Sequence, residues 1–592
     1  MPKSYESYGI EEIGGVKYYV GYKKSIPSFT KKSKANDEPK FDIGGLAVRV
    51  KEKIYVFDKQ KYYCRLEYLT SANGEYAECD YDPQTDTCQT LKGKGVDVTS
   101  NTFPILEEWI QKQMRPMTTT YKHENIGWDD RKTVNGKRNK GKPDPFYKHW
   151  TAKISDSITS EYSGNFEIEP KGTYAEWRKG VKQNVIGYMP LEAGLAIALS
   201  GVTVGYLSLV YPGLTYPNII FNIPGKSTTG KSTTCQLAIS SIGCPDPLQG
   251  EASLMGTWNQ SENNVFARLF GMWGGAVCYD ELKSNDCKKL GKLLYNLYGG
   301  RDKGRMNKEA TSSRKSEKWS LCLMSTGESS IMDNITDGAD GIMNRCYEFY
   351  DLQMYKEVNG AKQPCQVKWT KSAKNANDIS AFISQNYGHA TPIFADFILK
   401  KADLIEKLYN HCKDYYKILR EKENPDGYSD RRAKFIAPVL LTALLMEQCF
   451  QFDIHWRDMA DFFLLNERSQ VLEHLRMYEY IKELIYTQKL HFVDSDTEKD
   501  FTPSQIWGRI EEKNYTFNEK KVISEVVLLP DNLESLLKKK GCSNPKRIMS
   551  ALKDDGYIIG DKDGRHNKIP RRNPSNPEAT TRCYVIRIFD EI

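Results

Sequence analysis

A glycine-rich segment constrains the fold of this chain more than any other feature. The stretch PNIIFNIPGKSTTGKSTTCQLAIS, residues 217–240, contains the spacing G-x-x-x-x-G-K-S. A short apolar strand precedes the loop and a helical pattern follows it. Backbone N–H groups and the helix dipole attract phosphate at such a junction. The pattern therefore predicts a nucleotide site, formed by Gly225, Thr228, Thr229, Gly230, Lys231, Ser232 and Thr233.

Two adjacent carboxylates predict the hydrolytic part of this site. Lys231 is expected to reach the β- and γ-phosphates of ATP, and the Ser232 hydroxyl to ligate Mg²⁺. The apolar strand 276–279 is followed by Asp280 and Glu281. In ATPases with such a loop, an aspartate at this point holds the Mg²⁺ shell and the next glutamate orients the attacking water. A solvated turn is the alternative for this pair.

A third apolar strand, residues 321–324, leads to Ser325 and Thr326. A polar side chain there can reach the γ-phosphate or the water, the role known as sensor 1. Thr326 is favoured, Ser325 stays possible, and a plain turn is the alternative. Further along, Arg345 stands just before another strand. It can act as an arginine finger in a neighbouring subunit's site or as a surface ion-pair partner.

The segment between the second and third strands, residues 296–320, is glycine-rich and basic. Ring translocases place their substrate grip in a hairpin before sensor 1, while a solvated loop explains the same composition. Its cationic residues are Arg301, Lys303, Arg305, Lys308, Arg314, Lys315 and Lys318.

The chain of 592 residues is too long for one core. Alternating strand patterns predict a strand-rich domain over 1–165, and strands alternating with helices predict a mostly parallel α/β ATPase core over 166–375. Helical patterns dominate 376–495. After a linker, 496–592 shows helix, turn, helix, strand, polar hairpin and strand, an order that predicts a winged helix. Its lysines and arginines indicate duplex contacts or partner docking, and a structural tail is the alternative.

Composition narrows the partners and the compartment. Lysine plus arginine exceed aspartate plus glutamate by 84 to 77, a balance compatible with a polyanion but too mild to establish one. The cysteines form no C-x-x-C pair, and the spacing of Cys64, Cys79 and Cys88 is unlike a zinc ribbon. Reduced thiols and a cytoplasmic location are expected. The N-terminal residues show no apolar signal segment.

One apolar stretch, residues 189–213, carries a single charge, Glu192, over a length that could span a bilayer. It runs directly toward the strand before the phosphate loop. A helix buried behind a nucleotide-binding sheet has the same hydropathy, and this interpretation is favoured over a transmembrane span. No membrane partner is expected.

Several motifs together resemble a known family. They are the phosphate loop, YGGRDKGR, WSLCLMSTGES and HENIGWDD, the last at residues 123–130. The chain resembles the P-loop ATPase domain carried by phages and chromosomal cassettes, in particular the MCM-like, Cch-type replicative helicases of staphylococcal cassette-chromosome (SCC) elements. The resemblance covers roughly residues 95–450, and the winged-helix tail suits the same proteins.

The resemblance implies an AAA+ fold, a homo-hexameric ring and ATP-driven unwinding of DNA, 3′ to 5′, to replicate the mobile element with its own replication partners. It implies that Lys303, Arg305 and Lys308 line a DNA channel and that Arg345 is the arginine finger. It also implies a sensor 2 arginine at Arg431 or Arg432, with Arg432 preferred.

Two departures from the MCM pattern stand out. Sensor 1 is Ser or Thr where asparagine is usual, and the N-terminal region lacks a four-cysteine zinc ribbon. The MCM N-terminal architecture is therefore not expected. Two other classes share the same ATP-site motifs: a DNA-binding AAA+ initiator or regulator that assembles on DNA without unwinding it, and a packaging-type translocase.

Overall fold

The computed structural model divides the chain into two compact units, one of residues 1–168 with 271–273 and one of 169–270 with 274–592. The structure describes residues 7–23, 41–134, 141–282, 290–301, 317–328, 330–331, 345–349, 351–423, 428–494, 506–518, 520–539, 542, 544, 545–561 and 567–590.

The first unit is built mainly of strands, as the alternating sequence patterns predict. Its strands are β1 (Ser7–Ile13), β2 (Val16–Tyr22), β3 (Phe41–Leu46), β4 (Val48–Val56), β5 (Lys61–Leu69), β6 (Tyr76–Tyr81), β7 (Thr119–His123), β8 (Ile126–Asp130), β9 (Pro145–Lys148), β10 (Thr151–Lys153) and β11 (Thr159–Tyr162). Its helices are α1 (Cys88–Gly93), α2 (Phe103–Met114) and α3 (Arg131–Val134).

These strands form a three-stranded sheet, β1-β2-β3, and a six-stranded sheet, β10-β11-β7-β4-β5-β6. Strand β8 pairs with β9 and with Met272 and Trp273. Helix α2 turns Ile105, Leu106 and Ile110 into the core that also holds Cys64 and Leu66 of β5. The helix thereby covers one end of one face of the six-stranded sheet.

The second unit contains a parallel sheet, a helical region and a C-terminal sheet. Its strands are β12 (Asn218–Pro224), β13 (Met255–Thr257), β14 (Met272–Leu282, from Gly274 onward in this unit), β15 (Ser320–Gly327), β16 (Cys346–Glu348), β17 (Gln353–Val358), β18 (Ala361–Gln366), β19 (Phe492–Asp494), β20 (Gly508–Phe517), β21 (Lys520–Leu528), β22 (Ile569–Asn573) and β23 (Asn576–Phe589).

Helices are distributed through the whole of this unit. They are α4 (Tyr174–Asn184), α5 (Met189–Val210), α6 (Lys231–Ser240), α7 (Glu262–Ala267), α8 (Leu290–Gly299), α9 (Ala373–Ile383), α10 (Ala390–Lys400), α11 (Ala402–Glu423), α12 (Ser429–Phe450), α13 (Trp456–Thr487), α14 (Pro530–Lys539) and α15 (Pro545–Asp554), with 3-10 turns at Pro247–Ala252 and Lys489–His491.

The central sheet has the order β16-β12-β15-β14, with β13 paired to β14. The β12–β15, β12–β16 and β13–β14 pairs are all parallel, as the strand–helix alternation predicts. Strand β12 is buried along its whole length, which explains its continuous apolar sequence. The mixed α/β class is confirmed.

Helix α5 lies buried behind this sheet. Every residue from Pro190 to Leu207 is buried, and a Cβ on Gly201 would come within 1.9 Å of the Gly275 carbonyl oxygen of β14. Helices α5 and α12 are both long and apolar enough to cross a bilayer, but 83% and 72% of their apolar windows are buried inside the protein. The structure buries α5 as the sequence predicted.

The C-terminal part contains the predicted helix–turn–helix, α14 and α15, followed by the β22–β23 hairpin. Its sheet has the order β19-β20-β21-β23-β22. The β20–β21 hairpin and the β19 strand were not predicted. The strand expected near Tyr557 is reduced to one antiparallel bridge between Ile558 and Ile586.

Two further differences concern the ATPase region. Strands β14 and β15 extend beyond their predicted apolar cores, so Asp280, Glu281, Ser325 and Thr326 lie within strands. The β17–β18 hairpin was also missed, although its turn residues, Asn359 and Gly360, both have positive φ. The predicted subdivision of the second unit at 375/376 and 495/496 stays a prediction, like the boundary at 165.

Candidate functional site

A strand, a loop and a helix form the centre of the candidate site. Strand β12 ends at Pro224, and helix α6 begins at Lys231. Gly225 and Gly230 adopt φ values of 143° and 89°, which glycine tolerates far better than other residues. A Cβ on Gly230 would also lie 2.4 Å from the Thr370 hydroxyl oxygen. The two glycines of the motif are therefore required by the loop's backbone and packing.

The first turn of α6 presents backbone donors toward the loop. No side chain within the described part of the chain caps this helix, so its first N–H groups stay available to an anion. Ser232 is exposed and Thr233 is partly exposed on this turn. Thr228 has a φ of 64°, and the Thr229 hydroxyl donates to the Lys226 carbonyl at 3.1 Å.

Lys231 is held by the loop's own backbone. Its ammonium donates to the carbonyl oxygens of Gly225 and Lys226 at 2.8 and 2.7 Å. Burial lowers the pKa of Lys231, and this outweighs the opposing influence of Asp280 and Glu328. The ammonium thus carries a desolvated charge that carbonyl dipoles compensate only in part.

The carboxylate of Asp280 lies beside this loop and is oriented by two donors. The Thr326 hydroxyl and the Glu281 backbone N–H, the latter at 2.8 Å, both donate to Asp280 Oδ1. Glu281 itself is exposed and adopts a φ of 61°. Ile223 pairs with Thr326 across β12 and β15, which brings the loop and Thr326 to the same sheet edge.

Ser325 and Thr326 make different contacts because successive strand residues point to opposite faces. The Ser325 hydroxyl accepts a hydrogen bond from Trp258 Nε1 at 3.0 Å, whereas Thr326 faces Asp280. Of the two residues left open by the sequence, Thr326 is the one on the side of the carboxylate.

The two predicted arginines lie against other elements. The Arg345 guanidinium is 4.4 and 5.4 Å from the ring centroids of Tyr295 and Tyr298 on α8. Arg432 is buried and donates to the Cys346 carbonyl of β16 at 3.4 Å, while Arg431 is exposed. A role for Arg432 at a phosphate would require its side chain to leave this carbonyl.

The predicted DNA-contacting residues Lys303, Arg305 and Lys308 lie outside the described residues. The two ends of their segment are described, however: Arg301 and Lys318 form an antiparallel bridge. The adjoining Trp319 is fully buried and donates through Nε1 to the Leu297 carbonyl at 2.9 Å. Arg301 and Lys318, which flank residues 302–316 in the sequence, therefore lie beside each other.

Three contacts around the loop were not anticipated from the sequence. The Ser227 hydroxyl donates to Glu328 Oε1 at 2.9 Å, the Trp369 N–H donates to the Thr229 carbonyl at 2.9 Å, and Trp258 holds Ser325. Only Glu328 had a usable signal, because it follows the Thr326-Gly327 pair directly. The tryptophans reach the site through tertiary packing.

No metal-binding group of histidine, cysteine, aspartate and glutamate is found among the described residues. Cys64, Cys79 and Cys88 are free cysteines in the structure.

The fold and the strand–loop–helix site define a mixed α/β protein in which a glycine-containing loop leads into a helix N-terminus that no described side chain caps. Residues 19–318 match the family described as "Domain of unknown function (DUF927)". The match spans just over half of the chain, so the chain belongs to the DUF927 family. Residues 473–591 match the "Cch helix turn helix domain", which identifies the C-terminal part as a helix–turn–helix domain.

One solved structure, described as "SCCmec type IV Cch - active helicase", has the same fold. The likeness covers 100% of this chain and 98% of that chain, with a TM-score of 0.64 and 18% sequence identity. The predicted resemblance to Cch-type helicases is thus confirmed at the level of the fold and of the helix–turn–helix domain. No curated protein matches the sequence.

Proposed function

We propose that this protein is an ATP-hydrolysing DNA helicase. The observation that carries the proposal is the contact between Thr326 and Asp280 at the sheet edge where Lys231 sits. Strand β15 lies between β12 and β14, so it brings a hydroxyl between the loop and the carboxylate. A phosphate-binding loop alone explains binding, whereas an oriented carboxylate and a polar sensor beside it support hydrolysis.

The residues present fit Mg²⁺–ATP. The uncapped N–H groups of α6 and the ammonium of Lys231 suit the phosphates, and Lys231 can exchange its two carbonyl partners for phosphate oxygens. The Ser232 hydroxyl and the Asp280 carboxylate are the hard oxygen donors that Mg²⁺ prefers. When bound, Mg²⁺–ATP supplies a phosphoryl group whose transfer to water drives the motor.

The remaining side chains then have separate tasks. Glu281 holds the attacking water by accepting its hydrogen bond, and Thr326 orients the Asp280 carboxylate by donating a hydrogen bond to Oδ1. Within this assignment Thr326 is sensor 1. Glu281 is exposed in the isolated chain. This suits a carboxylate that binds a water molecule and is covered by a neighbouring subunit in the ring.

We also assign the protein to the AAA+ class and propose that it forms a homo-hexameric ring, because its ATP-site residues and its fold resemble those of Cch-type helicases. Arg345 is the residue just before β16, the strand that pairs with β12 at the end of the sheet order, and an arginine at this position can reach a neighbouring subunit. Arg432 is the proposed sensor 2 residue, and its movement away from Cys346 would accompany ATP binding. Translocation 3′ to 5′ and replication of a mobile element complete the proposal.

DNA contacts are assigned to two places. The cationic segment between Arg301 and Lys318 carries Lys303, Arg305 and Lys308, which would grip one strand in the channel. The helix–turn–helix domain would contact duplex through a winged-helix arrangement. Lys546 is exposed at the start of α15, and Arg572 and Arg582 are exposed on the β22–β23 hairpin. Phosphate contacts of this kind give salt-sensitive binding with little sequence preference.

The decisive experiment is strand displacement on forked DNA with ATP. We expect unwinding by the wild-type chain and none by Lys231→Ala. The variant should still bind DNA, because Lys231 is assigned to the phosphates of ATP and not to DNA. ATP hydrolysis stimulated by DNA without any strand displacement would overturn the helicase assignment and leave the ATPase intact.

The arginine finger is tested by mixing subunits. Arg345→Ala alone should lose hydrolysis, and mixing it with Lys231→Ala should restore part of the activity, because each intact site can then borrow its partner's arginine. Arg457→Ala is the matched control, since Arg457 is an exposed arginine of the same unit that also lies over aromatic rings, those of Tyr415 and Trp456. Full activity of Arg345→Ala would refute the role.

A second candidate function is favoured by the helix–turn–helix domain. A DNA-binding initiator or regulator would use this domain to assemble on a particular duplex and would use ATP only as a switch. It predicts tight, sequence-selective duplex binding and no displacement in the forked-DNA assay. The two candidates therefore give opposite results in one experiment.

A further inference from the structure

The first unit carries an open row of tyrosines on its six-stranded sheet. Tyr62, Tyr55 and Tyr121 lie directly opposite one another on the adjacent strands β5, β4 and β7. The ring centroids of Tyr55 and Tyr62 are 4.8 Å apart, and those of Tyr55 and Tyr121 are 6.3 Å apart. We call these three residues the tyrosine row.

The row lies on the part of the sheet face that α2 leaves uncovered. Along β4 the alternate residues Ile54 and Val56 are 4% and 5% exposed, so Tyr55 points to the opposite face. Farther along β5, on the same face as Tyr62, Cys64 is buried in the core that includes α2. Tyr62 itself is 48% exposed, and Tyr55 and Tyr121 are partly exposed.

One cation belongs to this face. Lys53 is two residues before Tyr55 on β4, and its ammonium lies 5.4 Å from the Tyr62 ring centroid. Lys53 forms no ion pair with any residue in the described ranges, whereas its neighbours Lys51 and Lys59 are paired with Glu78 and Glu124. The face thus combines aromatic surface with an uncompensated positive charge.

The row is also held in place from one side. Phe57 stacks on Tyr121 with a centroid distance of 5.6 Å and an interplanar angle of 22°. Phe57 in turn packs against the buried cluster of Phe146, Ala152 and Ile154. Rings that are fixed before binding lose little conformational entropy when a ligand stacks on them.

We propose that the tyrosine row binds single-stranded DNA by base stacking. Every base offers a π-face, so rings spaced across neighbouring strands accept a strand of any sequence, and a nearby lysine suits its phosphates. Charge decides between this occupant and an apolar protein surface: the ammonium of Lys53 beside Tyr62, which forms no ion pair with the described residues, favours a polyanion. The biological meaning of the contact rests on the proposed function, since a helicase handles single strands.

The test uses the full chain without ATP and a labelled oligothymidylate of about 15 nucleotides, which is within the range of about 4–16 nucleotides that one single-strand-binding domain covers. We expect Tyr62→Ala and Tyr55→Ala each to weaken binding about tenfold, and Tyr→Phe at either position to retain it, because stacking needs the ring and not the hydroxyl. Unfolding midpoints of the variants show that the sheet is intact.

Tyr76 provides a matched control. It lies on β6 of the same sheet, it is 44% exposed, and the Arg49 guanidinium lies 5.5 Å from its ring centroid. It therefore resembles Tyr62 in exposure and in its cation but stands outside the row. Equal losses from Tyr76→Ala and Tyr62→Ala, or no loss from either, would overturn the proposal.

A second ligand separates stacking from charge. An abasic strand of the same length keeps the phosphates and removes the bases. We expect wild-type protein to bind it at least about tenfold more weakly than oligothymidylate, and Tyr55→Ala to show a smaller difference between the two strands because one stacking ring is missing. Equal wild-type affinity for the two strands would refute stacking. Because these measurements need no ATP, they can fail while unwinding succeeds, and unwinding can fail while they succeed.

Discussion

Two buried lysines show how differently the two units treat the same side chain. In the first unit, Lys148 is 3% exposed at its side chain and donates to Asp58 and Asp129 at 2.5 and 2.8 Å. In the second unit, Lys231 is 9% exposed, and its ammonium donates to the backbone carbonyls of Gly225 and Lys226. Lys148 thus has two carboxylate counterions in contact, whereas no carboxylate of the described residues forms an ion pair with Lys231.

The pKa values of the two ammonium groups move in opposite directions. Burial alone would lower the pKa of Lys148, but Asp58 and Asp129 outweigh burial and raise it. Burial dominates at Lys231 and lowers its pKa. A buried lysine whose charge is balanced by contacting carboxylates stabilises the fold. A buried lysine without such carboxylates is suited to bind an anionic ligand.

The largest expected effect tests the first half of this comparison. Lys148→Met leaves two carboxylates without their cation and should lower the free energy of unfolding by about 3–5 kcal/mol. Lys153→Met is the control: its pair with Asp156 is exposed and should contribute less than about 1 kcal/mol. Chemical denaturation of both variants measures the difference. A loss below about 1 kcal/mol from Lys148→Met would contradict the assignment.

The same substitution at Lys231 should have the opposite profile. Lys231→Met should lower ATP hydrolysis by about 100- to 1000-fold, the range for losing one preorganised electrostatic contact. Its free energy of unfolding should not fall, because a desolvated charge disappears. Steady-state hydrolysis and denaturation are measured on one preparation. The distinction between the two lysines would be wrong if Lys231→Met hydrolysed ATP at the wild-type rate. It would also be wrong if Lys231→Met lowered the free energy of unfolding as much as Lys148→Met does.

A pH dependence sharpens the comparison around Lys148. Burial, and to a lesser extent the charge of Lys148, lowers the pKa of His123 to about 4 from an ordinary 6.5. The unfolded chain therefore takes up this proton at a higher pH than the folded chain does. The stability that depends on neutral His123 is complete above pH 6.5 and is lost as the pH falls from 6.5 through 4, by about 3 kcal/mol in total.

His123→Asn should flatten this acid sensitivity, because an amide can keep a bond to Ser160 or to the His149 carbonyl without titrating. Denaturation midpoints of wild type and variant at neutral and acidic pH measure the difference. A wild-type loss on acidification that persists unchanged in His123→Asn would assign the proton to another group.

The smallest expected effect concerns the carboxylates that face each lysine. Asp58 is oriented by the N–H groups of Glu124 and Asn125, and Asp280 by Thr326. Thr326→Val should lower hydrolysis about tenfold, as removal of one orienting hydrogen bond does, while Thr326→Ser retains the hydroxyl and most activity. Ser325→Ala, on the opposite face, should leave hydrolysis near wild type. Equal losses from Thr326→Val and Ser325→Ala would contradict the geometry.

Local patterns in the sequence predicted the elements that carry the candidate site. Strand β12, the loop and helix α6 are formed by consecutive residues, so their order is visible in the sequence. Parallel strands place their carboxyl ends at one edge of the sheet, so Asp280 and Thr326 are expected near Lys231. The Asn359-Gly360 pair between Val358 and Ala361 is also typical of a two-residue hairpin turn, and the structure has the β17–β18 hairpin there.

Other features depend on contacts between distant residues and had no local signal. Trp258 and Trp369 reach the site from segments that no motif connects to the loop. The direction of the Arg432 side chain depends on which face of α12 packs on β16. Because apolar residues occur on several faces of α12, the sequence does not show which face that is. The tyrosine row depends on strand register, because Tyr121 follows Tyr55 by many residues and meets it only through the parallel β4–β7 pairing.

The antiparallel bridge between Arg301 and Lys318 has a consequence for how this protein can vary. The bridge holds Arg301 and Lys318 beside each other, and the fully buried Trp319 anchors the chain just before β15. A change in the length of a closed loop costs only about 0.6 kcal/mol per doubling. We therefore expect that a change in the length of this segment leaves helix α8 before it and strand β15 after it in place.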